Sequence, residues 1–280
     1  MKLQKSVIET IKIRSSCRTF DSKYIDDDIF QKLKYYIDEI NNKSTIKARF
    51  LVVNKQKTGG SSEKLGTYGV ISGANSFIVG IINNSENDAL KFGYLFEKII
   101  LFATDLGLQT CWLGGTFKKE DFVQSANLVE NEFIPIVSPV GIKKGKPRIF
   151  ESAMRAVIGA NNRKPWNELF FDTDVLNPLN ENSAGSYAVP IEMVRLGPSA
   201  SNKQPWRIIK DKNSYHFYLC RTKGYGVMGY DMQKNDLGIA MCHFELAAKE
   251  LGLDGKWQEL KNLNFPNDWE YIITWESFSN

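Results

Sequence analysis

A stretch of twelve residues comes back once along this chain. Leu101-Phe102-Ala103-Thr104-Asp105-Leu106-Gly107-Leu108-Gln109-Thr110-Cys111-Trp112 and Leu246-Ala247-Ala248-Lys249-Glu250-Leu251-Gly252-Leu253-Asp254-Gly255-Lys256-Trp257 agree at six of twelve positions, 145 residues apart in a chain of 280. Gly93 and Gly238 match at the same offset. Self-similarity at half the chain length is the mark of one structural unit built twice, with the copies burying their apolar faces against each other. Leu-Gly-Leu is also a common way to stop a helix, with the glycine in the left-handed position beyond the last turn, so the echo admits a local explanation too. The length leaves room for one large domain or two small ones of roughly 100 to 200 residues each. The repeat favours two related halves.

Apolar periodicity sketches the elements. Leu3, Val7, Ile8 and Ile11 fall at helical spacing up to Ile13, where the polar cluster Arg14 to Arg18 interrupts them. Asp26 to Ile40 reads as an amphipathic helix with an acidic first turn, and Phe50 to Val53 as a short strand. Phe77 to Ile82 is a stronger strand, and Ala89 to Leu106 is a helix apolar nearly all round, which predicts a central position. Lys118 to Asn127 looks helical, and Phe133 to Val140 looks like a strand that Pro135 and Pro139 push to a sheet edge. Lys143 to Asn182, basic at first and then rich in Asn, Asp and Pro, reads as a linker. A second series follows: helix Pro190 to Arg195, strands Trp206 to Ile209 and Tyr215 to Leu219, and a long helix Leu237 to Leu251.

A net charge of +4 spread over 36 basic and 32 acidic residues argues against a dedicated nucleic-acid surface, though a local phosphate site remains open. No apolar run reaches the roughly 18 residues of a membrane span, and Met1 to Lys5 lacks the apolar stretch of a signal peptide, so a cytoplasmic protein is expected. Cys17, Cys111, Cys220 and Cys242 show no Cys-x-x-Cys spacing, and the histidines are His216 and His243 alone, which argues against a disulfide framework or a zinc site. Cys242 and His243 are neighbours whose side chains would point about 100° apart on a helix, an arrangement that suits core or pocket-lining residues better than a shared metal.

Three segments carry candidate chemistry. Arg14-Ser15-Ser16-Cys17-Arg18-Thr19-Phe20 puts two guanidinium forks around two hydroxyls at a helix end, a donor set suited to a phosphate monoester or, equally, to a solvated turn. Leu196-Gly197-Pro198-Ser199-Ala200-Ser201-Asn202-Lys203-Gln204-Pro205-Trp206-Arg207 is a stiff loop whose Ser199, Asn202 and Gln204 could match the edge of a flat heterocycle. Trp112-Leu113-Gly114-Gly115 follows the central helix, and its paired glycines let backbone N–H groups approach a ligand or simply make a turn.

Together these segments resemble the FMN-dependent nitroreductase family. Arg14-Ser15-Ser16-Cys17-Arg18 is similar to its Arg-x-Ser-x-Arg phosphate motif, and Pro198-Ser199-Ala200-Ser201-Asn202-Lys203-Gln204-Pro205-Trp206 to its Pro-Ser-x-x-Asn-x-Gln-Pro-Trp loop. The segment from Leu106 to Gly115 resembles the one that passes the flavin's reactive edge, and Arg163-Lys164-Pro165 the closing Arg-x-Pro that brings a further arginine to the phosphate. The chain departs from the family in how the motifs are shared out. The first half has the phosphate arginines and Gly114-Gly115 but only Asn42-Lys43-Ser44-Thr45-Ile46-Lys47 where the loop belongs; the second half has the loop but Gln258-Glu259 after Trp257.

The resemblance implies an α+β fold of two fused half-domains, 1–165 and 166–280, each with a central sheet flanked by helices, paired within one chain as a pseudo-dimer and therefore monomeric in solution. It implies one FMN held by Arg14, Ser15, Ser16, Arg18, Trp112, Gly114, Gly115 and Arg163 from the first half and Pro198, Ser199, Ala200, Asn202 and Gln204 from the second. NADH or NADPH would donate electrons, a nitroaromatic or quinone would accept them, and no catalytic side chain or metal is required because the flavin carries the redox chemistry. A flavin-binding or flavin-storing protein with little turnover stands beside the enzyme reading, as do a specialised family chemistry such as reductive dehalogenation or flavin breakdown, and an interaction protein without flavin.

Overall fold

In the computed structural model, residues 3–54, 66–84, 88–145, 159, 162–223, 229–261 and 268–278 are described. The first part of the chain forms α1 (Val7–Ile13), α2 (Asp27–Lys43), β1 (Ala48–Asn54), β2 (Ser76–Asn83), α3 (Ala89–Asp105), β3 (Gln109–Thr110), α4 (Lys119–Ala126) and β4 (Glu132–Gly141). The second forms α5 (Trp166–Leu169), β5 (Phe170–Asp172), α6 (Glu181–Ala184), α7 (Ala188–Arg195), β6 (Trp206–Asp211), β7 (Ser214–Leu219), α8 (Met232–Glu250), β8 (Gly255–Gln258) and β9 (Glu270–Ser277). The strands make two sheets, ordered β1-β2-β4-β3 and β5-β6-β7-β9-β8. The first is antiparallel throughout, and the second is antiparallel apart from β5, which lies parallel to β6. The expected α+β architecture, with a sheet and helices in each part, is what forms.

Helices α3 and α8 run between the sheets, and their closest approach is made possible by the matched glycines. A Cβ on Gly93 would collide with the Asn235 carbonyl and come within 2.7 Å of the Asn235 Cα, while one on Gly238 would collide with the Leu90 carbonyl and come within 2.6 Å of the Tyr94 nitrogen. The contact is reciprocal: each glycine faces the other helix's backbone. Both helices end alike, with Gly107 at φ +83 and Gly252 at φ +70 and with the bonds Leu108 N–H to Ala103 O and Leu253 N–H to Ala248 O, each 2.9 Å. This is the glycine-terminated helix end expected from Leu-Gly-Leu.

Four sequence expectations need correction. Helix α1 starts at Val7 rather than Leu3, because Ser6 caps it and the Gln4 and Lys5 N–H groups donate to the Asp105 carboxylate at 2.7 and 2.9 Å. Strand β4 is interior, not an edge: a register shift between Gly80 and Ile82 absorbs the Pro135 region, and Val137 also bridges Leu113. The supposed linker carries elements of its own: Trp166–Leu169 form α5 and Phe170–Asp172 form β5 in the second sheet, with Leu169, Phe170 and Phe171 buried; residues 146–158, 160 and 161 lie outside the described set. Helix α8 starts at Met232, five residues before Leu237, because Asp231 caps it and the polar Gln233, Asn235 and Asp236 of its first turns are buried. Among the described residues no helix is long and apolar enough to cross a membrane.

Candidate functional site

The basic segment leaves α1 at Arg14, whose side chain is buried. It is then drawn into the first sheet's margin: Ser16 pairs with Thr110 in a parallel bridge, Cys17 N–H donates to Thr110 O at 2.9 Å, and Phe20 N–H to Ser72 O at 2.8 Å. Ser15, Ser16 and Arg18 are partly exposed along this stretch. The segment thus runs beside the strand that leads to Trp112, Gly114 and Gly115. Ile11, one turn before Arg14, lies in a small cluster with Leu101, Met193 and Cys242, against which Leu196 also packs, so α1 rests on elements of both parts of the chain.

The loop from Pro198 to Gln204 is stiffened from inside. Ser201, Asn202 and Gln204 adopt left-handed backbone at φ 46, 56 and 49, a conformation that costs non-glycine residues on the order of 1 kcal/mol or more each. Hydrogen bonds offset this. Gln204 N–H donates to Ser199 Oγ at 2.9 Å, and the Gln204 amide accepts from Lys164 N–H at 2.9 Å and donates to the Asn162 and Asn202 carbonyls. The Asn202 amide accepts from Arg163 and donates to the Gly159 and Asn162 carbonyls at 2.7 Å each. Arg163 also donates to Leu196 O at 3.1 Å. The two amides thus face protein partners, tying the loop to Arg163; the Pro198, Ser199 and Ala200 stretch forms the loop's other limb. Burial lowers the Lys164 ammonium from its usual range, and the nearby Arg207 charge adds to this.

Helix α8 joins the two sides. The Met232 methyl occupies the space that a Cβ on Gly114 would need, whereas nothing lies within 4 Å of a Cβ on Gly115. One turn on, the Asp236 carboxylate accepts from Ala200 N–H at 3.1 and 3.3 Å. Met232 and Asp236, four residues apart, are about 6 Å apart along the helix axis on one face. The Trp112–Gly115 segment and the Pro198–Asn202 loop, from opposite parts of the chain, are therefore seated on consecutive turns of one helix. Burial pushes the Asp236 carboxyl well above the usual Asp value of 3.8, against the pull of the Ala200 N–H; the Asp231 charge pushes the same way.

Trp112 is held from below. Its Nε1–H donates to Glu97 Oε2 at 2.9 Å, and its ring meets Phe96 edge-on at 4.7 Å. Glu97 Oε1 lies 2.9 Å from His243 Nε2, and His243 Nδ1 lies 2.8 Å from Met193 O. Glu97, Cys242 and His243 are fully buried, so the adjacent Cys242 and His243 are core residues; burial, then the Glu97 charge, raises the Cys242 thiol. The parts that Met232, Asp236, Glu97 and His243 play around the site were not evident from the sequence. The available signal was a polar residue inside an apolar helix run, which is plain for Glu97 and hidden for Asp236 by the polar residues around it.

The model of a family described as "Putative TM nitroreductase" matches residues 6–248. Among solved structures, one described as a putative nitroreductase from Thermotoga maritima aligns with a TM-score of 0.58 and 18% identity, over 99% of this chain and 95% of that one. Nitroreductases solved with bound FMN from Desulfitobacterium hafniense and Bacteroides fragilis align over 51% and 52% of this chain and 93% and 92% of theirs, with TM-scores of 0.40 and identities of 19% and 20%. No curated protein matches the chain.

Proposed function

Since the chain belongs to the nitroreductase family whose model spans residues 6–248, we propose that this nitroreductase-type oxidoreductase binds one FMN between its two halves and passes electrons from NADH or NADPH to an electron-poor organic acceptor. The observation that carries this reading is the seating of Gly114 on Met232 and of Ala200 on Asp236, consecutive turns of α8. It brings one limb from each part of the chain to a common wall, beside a segment rich in arginine and serine.

The donor set fits the group. Arg14, Arg18 and Arg163 would hold the phosphate, with Ser15 and Ser16 adding hydroxyls; each charge-assisted bond contributes on the order of 1.5 to 3 kcal/mol. Pro198, Ser199 and Ala200 would lie along the ring system, and Gly115, with open space around its α-carbon, would offer its backbone N–H. Asn202 and Gln204 act at one remove, fixing Arg163 and the loop through the amide bonds described above. Trp112 walls the site through its indole and keeps water from that side. When bound, FMN supplies reversible two-electron transfer, so the protein's own contribution is position and electrostatics. The halves, 1–165 and 166–280, are read as a duplicated unit whose symmetry-related second site has lost its motifs, which makes the chain a monomer acting as a pseudo-dimer.

Steady-state oxidation of NADH and NADPH by the FMN-loaded protein, with and without a nitroaromatic or quinone, tests the reading. Acceptor-dependent turnover is expected. Retained flavin without turnover would contradict the enzyme and favour a flavin-holding role.

A further inference from the structure

The contact between Trp112, Glu97 and His243 has a hydrogen pattern that its partners fix almost completely. A backbone carbonyl can only accept, so His243 Nδ1, 2.8 Å from Met193 O, carries a hydrogen. An indole N–H can only donate, so Glu97 Oε2, 2.9 Å from Trp112 Nε1, is an acceptor. His243 Nε2 and Glu97 Oε1 then face each other at 2.9 Å with one hydrogen between them, since two bare acceptors at that distance would repel and leave a buried charge uncompensated. Whichever atom holds that hydrogen, the pair carries no net charge. Both side chains have 0% exposure.

We propose that Glu97 and His243 are positioning residues of the flavin site: the pair fixes the Trp112 indole, and with it the backbone from Trp112 to Gly115, by a bond that crosses from α3 to α8 and α7. This rests on the FMN reading above. The segment is pinned at one end by the bridge between Thr110 and Ser16 and at the other by Met232 against Gly114, and the indole anchors it between them into the interface. The orientation of the Glu97 carboxylate is set by His243, which is itself set by Met193 O, so the limb that belongs to the first sheet takes its position from the second part of the chain. A parallel arrangement exists on the opposite side. Trp257 Nε1–H donates to Glu245 Oε2 at 2.7 Å, and Tyr94 Oη, from α3, donates to the same oxygen at 2.9 Å. There a phenol takes the place of the imidazole, and Gln258-Glu259 rather than Gly-Gly follows the tryptophan. The Tyr94 bond is therefore a matched control.

Two measurements decide the matter. The first, on the full chain without flavin, is nitrogen-15 NMR of labelled histidine, assigned with His243→Gln because the chain has two histidines. A protonated Nδ1 on His243 is expected; a bare Nδ1 would overturn the pair. The second is FMN affinity by fluorescence quenching. Glu97→Gln can still accept from the indole and donate to a neutral Nε2, so it should bind within about twofold of wild type, as should Tyr94→Phe, whereas Glu97→Leu should bind at least ~10-fold more weakly. Wild-type affinity in a folded Glu97→Leu, or loss in Glu97→Gln equal to that in Glu97→Leu, would overturn the positioning role. If the wild type binds no FMN, the FMN reading fails and the positioning role with it, while the NMR result still decides whether the pair exists.

Discussion

Asp236 is a carboxyl buried on α8 with the Ala200 N–H as its hydrogen-bond partner, and its titration should be visible in stability. Its folded value is raised above the unfolded 3.8, so the folded state prefers the protonated form. Its contribution is full below pH 3.8 and is lost as pH rises towards the folded value, at up to ~1.4 kcal/mol per pH unit. Asp236→Asn removes that titration and keeps an oxygen for Ala200. Thermal melts across pH should therefore show the variant more stable than wild type at pH 7, with the gap shrinking towards pH 4; a gap that widens on acidification would contradict the assignment. Arg14, Ser16, Ser199 and Asn202 were marked as candidates by the sequence because they sit in short segments dense with polar and conformationally special residues. Asp236 was not, because helical periodicity marks apolar positions and says nothing about a polar residue that a distant loop will cover. The sequence also leaves open which way an amide points: Asn202 and Gln204 look like ligand-facing groups until their partners at Arg163, Asn162 and Lys164 are seen.

The crossing of α3 and α8 is the element on which both sheets depend. Gly93 and Gly238 stand at equivalent places on the two helices, each against the other's backbone, and the 145-residue offset that relates them is legible in the amino-acid sequence alone. The long apolar helix was legible for the same reason, since it is buried on almost every side. The short strand β5 was not: three residues carry too little periodicity, and its parallel pairing with β6 is fixed only when the chain crosses into the second sheet. Strand β4 was misplaced by its prolines: a bulge within β4 itself, Ile134-Pro135 opposite Ile81, accommodates the first of them in an interior strand, and Pro139 keeps its register with Phe77. Gly238→Ala tests the crossing by sign. In an open helix alanine would stabilise by about 1 kcal/mol; against the Leu90 carbonyl and Tyr94 nitrogen it should instead cost ~1 to 3 kcal/mol, lowering the melting temperature by several degrees. A melting temperature that rises would mean that the helices do not approach as closely as described.

At the scale of the molecule, the two sheets, the reciprocal helix contact and the division of motifs between the halves support the proposal of one composite site in one chain. Arg14 and Gly115 come from one part and Ala200 and Asn202 from the other, and Arg163 is bonded to Asn202 across them. Neither half should hold flavin alone. The most direct measurement is the flavin content of the protein purified with added FMN and desalted, read from its visible absorbance, for wild type, Arg14→Ala and Asn202→Ala. About one equivalent per chain in wild type, lost in both variants, is the predicted result. Two equivalents, or retention unchanged by either substitution, would contradict a single site shared between the halves, and no flavin in wild type would overturn the cofactor assignment itself.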